Sequence, residues 1–244
     1  MQTFSQLPSP RKLDAGRGKE WCLASFRIVR EQALTWVLLT LVYLLINFGV
    51  GLVPVIGNIA GALMGPIFAA GFVLAAQKAD RGEELELADL FAGFRLMPGP
   101  LLLLGAMMFG LIAAASVLLI VFGVSGGVSA GLLNTHLPET AHSTLPIGFG
   151  LVFFVVIAAV TVVISLAYWF APALVALNGA APWQAIRSSF AAGQRNWLPM
   201  LVAGLIMLLL LIPVALTLGL GLLLWFPIAS VIAFVSWKDI FADA

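Results

Sequence analysis

Residues 55–76 read VIGNIAGALMGPIFAAGFVLAA, twenty-two positions without a charge, in which Gly57, Gly61, Gly65 and Ala69 recur at every fourth place. A helix of about 20 apolar residues is what crosses the hydrocarbon layer of a bilayer. Small side chains at that spacing bare a stripe of backbone along which another helix can approach closely in lipid. Working outward, charge-free apolar runs of similar length cover approximately 33–53 on one side and 100–122, 147–169, 199–218 and 220–237 on the other. Pro54 alone separates the first two runs, and 217–219 separates the last two, so both connections must be tight.

Six runs fill most of the 244 residues, of which 62% are apolar and 9% charged. Soluble domains hold about 45–50% apolar and about 25% charged residues, so this chain is built for lipid and its length leaves no room for a sizeable soluble domain. The expected architecture is all-α and polytopic, with six transmembrane helices arranged as three helical hairpins. Residues 1–18 form a flexible cytoplasmic N-terminus and 19–241 a single transmembrane domain. The lead ahead of residue 33 is longer and more charged than a cleavable signal.

Charge placement supports the count. Arg11, Lys12, Arg17, Lys19, Arg27 and Arg30 precede the first run; Lys78, Arg81 and Arg95 lie between the second and third; Arg187 and Arg195 between the fourth and fifth; Lys238 follows the sixth. On a six-span path all twelve share one side, which the retention of Lys and Arg in the cytoplasm makes the inner one. The expected location is a bacterial inner membrane with both termini cytoplasmic. A net charge of +1 argues against nucleic acid as a partner, and the single Cys22 reads as an ordinary reduced thiol.

Amphipathic segments precede spans one, three and five. Cys22, Phe26, Val29 and Ala33 share one helical face, with Glu20, Arg27 and Glu31 opposite; Leu87, Leu90, Phe91 and Phe94 form a second stripe; Trp183, Ile186 and Phe190 form a third, opened by Pro182. All three are expected to lie in the headgroup plane as interfacial helices. Their recurrence suggests a triple repeat, to which Ser25-Phe26 and Ser189-Phe190 contribute. The returning spans add Pro66-Ile67-Phe68-Ala69-Ala70, Trp169-Phe170-Ala171-Pro172-Ala173 and Trp225-Phe226-Pro227-Ile228-Ala229.

Leu90-Phe91-Ala92-Gly93-Phe94-Arg95, the run from Tyr168 to Ala176, Ser189-Phe190 with Arg195-Asn196-Trp197, and Lys238-Asp239-Ile240-Phe241 together resemble an uncharacterised family of six-helix bacterial inner-membrane proteins. That family is distantly similar to the membrane domain attached to some glycerophosphodiester phosphodiesterases. The resemblance spans roughly 21–241 and implies a fold and a compartment. It supplies no catalytic residues, and where a His is common in the family this chain has Asn178.

Within the spans, Thr40, Tyr43 and Asn47 form a polar-tinged stripe on the first, and Thr161, Ser165 and Tyr168 another on the fourth. They are candidates for a small polar cavity between these spans, or for helix-to-helix hydrogen bonds. Gly57, Gly61, Gly65 and Ala69 are the candidate packing residues. No acid, base or His lies inside a span, which counts against an ion-coupled carrier. Pro172 and Pro227 are placed to break or kink the fourth and sixth spans. Residues 123–146 read as the one sizeable outer loop. It carries His136, Glu139 and His142, but Pro138 spoils the helical face a zinc site would need, so no metal and no cofactor are expected. The reading is a non-enzymatic inner-membrane protein that contacts lipid, a protein partner or a second copy of itself. A passive transporter or channel component is the alternative, and a lipid-acting enzyme a third.

Overall fold

An apolar run in lipid must satisfy its own backbone, and the helix is the one single-segment solution. The computed structural model describes residues 8–134 and 144–242, and every regular element among them is helical. Six stretches are long and apolar enough to cross a membrane: Ala33–Gly51, Ile56–Asp80, Pro98–Ser129, Phe149–Asn178, Trp197–Leu216 and Leu222–Ala242. The helices are α1 (Arg17–Glu31), α2 (Ala33–Gly51), α3 (Ile56–Asp80), α4 (Ala92–Leu96), α5 (Pro98–Asn134), α6 (Thr144–Trp169), α7 (Ala171–Asn178), α8 (Pro182–Arg195), α9 (Trp197–Leu209), α10 (Leu211–Leu216) and α11 (Leu222–Trp237). A 3-10 turn, Leu87–Phe91, precedes α4, and a wide π turn, Lys238–Ala242, follows α11.

The chain falls into two compact units, Met1–Met107 with Leu166–Ala244, and Met108–Ser165. In the first, α3, α7 and α11 pack on one another, and α2 lies against α3 and α11. Each amphipathic segment rests on one of that trio: α1 on α11 and also on α9, the 3-10 turn with α4 on α3, and α8 on α7. A close, two-sided backbone approach joins α3 to the segment beside it. A Cβ on Gly71 would strike the carbonyl oxygen of Leu90, and one on Gly93 the carbonyl oxygen of Ile67. In the four-residue stripe only Gly57 abuts backbone, at the Val50 carbonyl oxygen, whereas nothing stands within 4 Å of a Cβ on Gly61.

The amphipathic segments bury the stripes their sequences suggest only in part. On α1 the buried side is Gly18, Trp21, Cys22, Ser25 and Val29, while Leu23 and Phe26 are 55% and 53% exposed. On α8 it is Pro182, Ala185, Ser189, Ala192 and Gly193, while Trp183 is 58% exposed. On the second segment, the tighter 3-10 winding leaves Leu90 and Gly93 inside and turns Leu87 and Phe91 outward. On α8 the physical reason is lipid: tails are as apolar as leucine, so small residues that permit close backbone contact can take the inner positions.

Pro172 marks a true break. In a continuous helix the Phe170 N–H would bond to the Leu166 carbonyl oxygen. Instead the Ser189 hydroxyl from α8 enters the ladder, accepting from Phe170 N–H at 3.0 Å and donating to Leu166 O at 2.7 Å. Such insertions are a recognised cause of sharp bends, and the next helix opens with Pro in its first turn. Pro227, by contrast, stays inside α11. Because Ser189 is fully buried, Ser189→Ala strands a donor and an acceptor away from water. The expected result is about 2 kcal/mol of lost stability, read by denaturant unfolding in mixed micelles, with faster hydrogen exchange at Phe170.

The second unit corrects the loop expected over 123–146: α5 continues to Asn134 and α6 begins at Thr144. Gly126 lies under the Phe149 ring, and Phe122, Phe149 and Phe153 stack with centroids about 6 Å apart. Glycine weakens a helix in water by its backbone entropy and by exposing backbone, and the second penalty fades where no water competes for it. His136, Glu139 and His142 lie outside the described residues.

Candidate functional site

The trio of α3, α7 and α11 leaves a partly open hollow of about 330 Å³ where it meets α2 and the end of α6. Its aromatic walls are Tyr43, Phe72, Trp169 and Phe226. Tyr43 stacks on Phe226 with centroids 5.0 Å apart and meets Phe72 edge-on at 5.6 Å, and Trp36 stacks behind Phe72. Offset and edge-on pairs of this kind hold rings in place beyond simple packing, by about 0.5–1.5 kcal/mol each. Small residues, among them Gly65, Ala69, Ala173 and Ala229, keep the middle open. No charged residue lines it, and the hydroxyls on its walls belong to Tyr43, Tyr168 and Ser230.

Of the six polar candidates, Tyr43 and Tyr168 come to this hollow. Thr40 is fully buried and donates to its own helix at Trp36 O, 2.9 Å, and Asn47 does likewise at Tyr43 O, 2.9 Å. Thr161 and Ser165 are exposed residues of the second unit. Gly65 and Ala69 border the hollow, and the Tyr168 hydroxyl stands 3.9 Å from where a Gly65 Cβ would sit. Sequence reasoning did not place Phe72, Trp169 or Phe226 in a site, because spacing along one span does not show which aromatics of different spans converge. The signal that could have found two of them is the aromatic, proline and small-residue pattern of the returning spans, which holds Trp169, Pro172, Ala173, Phe226 and Ala229.

A second polar centre ties the ends of the first unit. Asp239, 6% exposed, accepts from Arg17 Nη2 at 2.6 Å, Arg17 Nε at 2.9 Å and Trp21 Nε1 at 2.7 Å, with Arg11 Nη2 at 3.8 Å. The segment ahead of α1 is strapped down beside it. Arg11 N–H donates to Ile240 O, Leu13 N–H donates to Asn196 Oδ1, and Asn196 Nδ2 donates to Arg11 O. Arg11 and Leu13, within the lead, are thus held by backbone and side-chain bonds. Nearby, the Cys22 thiol is buried against Ala203 O, and burial pushes it up from the ordinary thiol range.

The fold defines the class: six helices long and apolar enough to cross a membrane make a multi-pass membrane protein. Among known proteins the chain is similar to one from Burkholderia thailandensis named as a probable inner membrane protein, 29% identical over an alignment covering 76% of this chain and 70% of that one. The name agrees with the helices in placing this chain in the inner membrane. No protein-family model and no solved structure matches it.

Proposed function

We propose that the protein is a non-enzymatic, lipid-contacting component of the inner membrane, with both termini cytoplasmic, three helical hairpins, and its amphipathic segments lying among anionic headgroups. One observation carries the reading: the outward faces of these segments pair exposed apolar groups with exposed cations. Leu23 and Phe26 accompany Lys19, Arg27 and Arg30; Phe91 and Leu96 accompany Arg95; Trp183 and Trp197 accompany Arg187 and Arg195. Among the described residues, Arg27, Arg30 and Arg187 have no carboxylate partner. Apolar groups that enter the acyl boundary beside cations that reach phosphates are the features of a helix bound in the interface.

The spans themselves favour binding over conduction. Thr40, Asn47, Ser230 and Ser236 each return a hydrogen bond to a carbonyl of their own helix, which spends their donors on stability. The test is lipid retention. Protein released from nanodiscs of equal phosphatidylglycerol and phosphatidylcholine should keep phosphatidylglycerol about tenfold over phosphatidylcholine in native mass spectra, at about 1 kcal/mol per cation near the surface. An Arg27→Gln/Arg30→Gln/Arg187→Gln variant should lose most of that preference. Retained lipid that mirrors the bulk mixture in the unmodified protein would overturn the proposal.

A further inference from the structure

We infer that the hollow of the first unit is a binding site for an uncharged membrane amphiphile that presents a carbonyl oxygen to the Tyr168 hydroxyl. The walls set the class of ligand. Without a charged group among them, they offer nothing to repay the desolvation of an ion, whereas flat aromatic faces on Tyr43, Phe72 and Phe226 suit an apolar or planar body. The polar groups set the chemistry. Ser230 already donates to Phe226 O and Trp169 Nε1 to the Ser236 hydroxyl. The Tyr168 hydroxyl makes no hydrogen bond among the described residues and lines the hollow. A phenol proton in apolar surroundings is the donor most in need of an acceptor, and an uncharged carbonyl is the acceptor that an apolar ligand can bring.

Size and shape agree. At roughly the 30 Å³ that a water occupies in the liquid, 330 Å³ accommodates a ring or ester group of about ten heavy atoms, with any longer tail leaving through the open side. Gly65 matters here: its nearest neighbour across the gap is the Tyr168 hydroxyl itself, 3.9 Å from a Cβ position, and no backbone presses on it. Its missing side chain therefore serves the hollow, and a bulky residue there would occupy the space beside the hydroxyl without forcing helices apart. Two sources supply such a carbonyl in a bilayer, the acyl esters of glycerolipids and the ring of isoprenoid quinones.

The experiment titrates the full chain in detergent micelles with dioctanoylglycerol, a decyl-substituted benzoquinone and decane, using calorimetry. At least one carbonyl probe should bind, more tightly than decane. Tyr168→Phe should weaken that binding about tenfold, the worth of one hydrogen bond in such a setting, while leaving decane unchanged. Gly65→Leu should abolish binding of all three, with circular dichroism and thermal melting showing both variants folded. Binding of the glycerolipid alone, the benzoquinone alone, or both supports the inference and names the source. Equal affinity of Tyr168→Phe and the unmodified protein for a carbonyl probe, decane binding as tightly as the carbonyl probes, or no binding of either carbonyl probe would overturn it. None of these results depends on the headgroup preference of the amphipathic segments, so the two proposals fail separately.

Discussion

Asp239→Ala should destabilise the protein by about 3 kcal/mol, more than an ordinary surface ion pair contributes by several-fold. The carboxylate is buried and takes three short hydrogen bonds, two from Arg17 and one from Trp21. Truncating it leaves a guanidinium facing a site shaped for an anion, and removing one member of a buried pair typically costs about 3–5 kcal/mol. The side chain of Arg17 is 42% exposed and can recover some water, which sets the expectation at the low end of that range. Unfolding by SDS titration in mixed micelles measures it. A double substitution, Asp239→Met with Arg17→Met, should recover part of the loss, because two matched apolar groups leave no guanidinium facing the vacated site, although the pair of Arg17 with Glu20 goes with it. A single-variant effect below about 1 kcal/mol would mean that the cluster is solvated and contributes as surface pairs do.

Gly71→Val should be at least as damaging. The added Cβ meets the carbonyl oxygen of Leu90, and backbone cannot rotate away as a flexible side chain would. Either α3 or the 3-10 turn must shift, at about 3 kcal/mol or more, the top of the usual range for overpacking. Gly61→Val on the same helix is the matched control. Nothing within 4 Å opposes a Cβ there, so a change within about 0.5 kcal/mol is expected. Comparable losses in the two variants would show that helix propensity, not the close approach, governs both positions.

The contrast between Gly71 and Gly61 also shows what the sequence makes legible. Helix number and rough bounds follow from length and the absence of charge, which the bilayer enforces on every segment alike. The regular spacing of Gly57, Gly61 and Gly65 was visible too, but spacing alone does not say what stands opposite. One of these glycines meets backbone, one meets open space and one faces a tyrosine hydroxyl. The amphipathic segments were visible as stripes, yet the inward side went to Ala185, Ser189, Ala192 and Gly193 and not to Trp183. On this helix close backbone approach, not side-chain size, sets the inward side. The hollow was half legible: Tyr43 and Tyr168 stand out as the only two tyrosines, whereas Phe72 and Phe226 are lost among seventeen phenylalanines until the helices are assembled.

The bond between Arg17 and Asp239 joins residues 222 positions apart, and it constrains the order in which the molecule can be made. At a translation rate of about 5–20 residues per second, roughly 10–45 seconds pass between the emergence of the arginine and that of its partner. The α9 surface that receives Gly18, at the Pro199 carbonyl oxygen, is also a late product. Throughout that interval the Trp21 side of α1 has no permanent seat, although the spans that follow it are already being inserted. The Trp21 side of α1 is therefore seated only once the turn that carries Asp239 has been made.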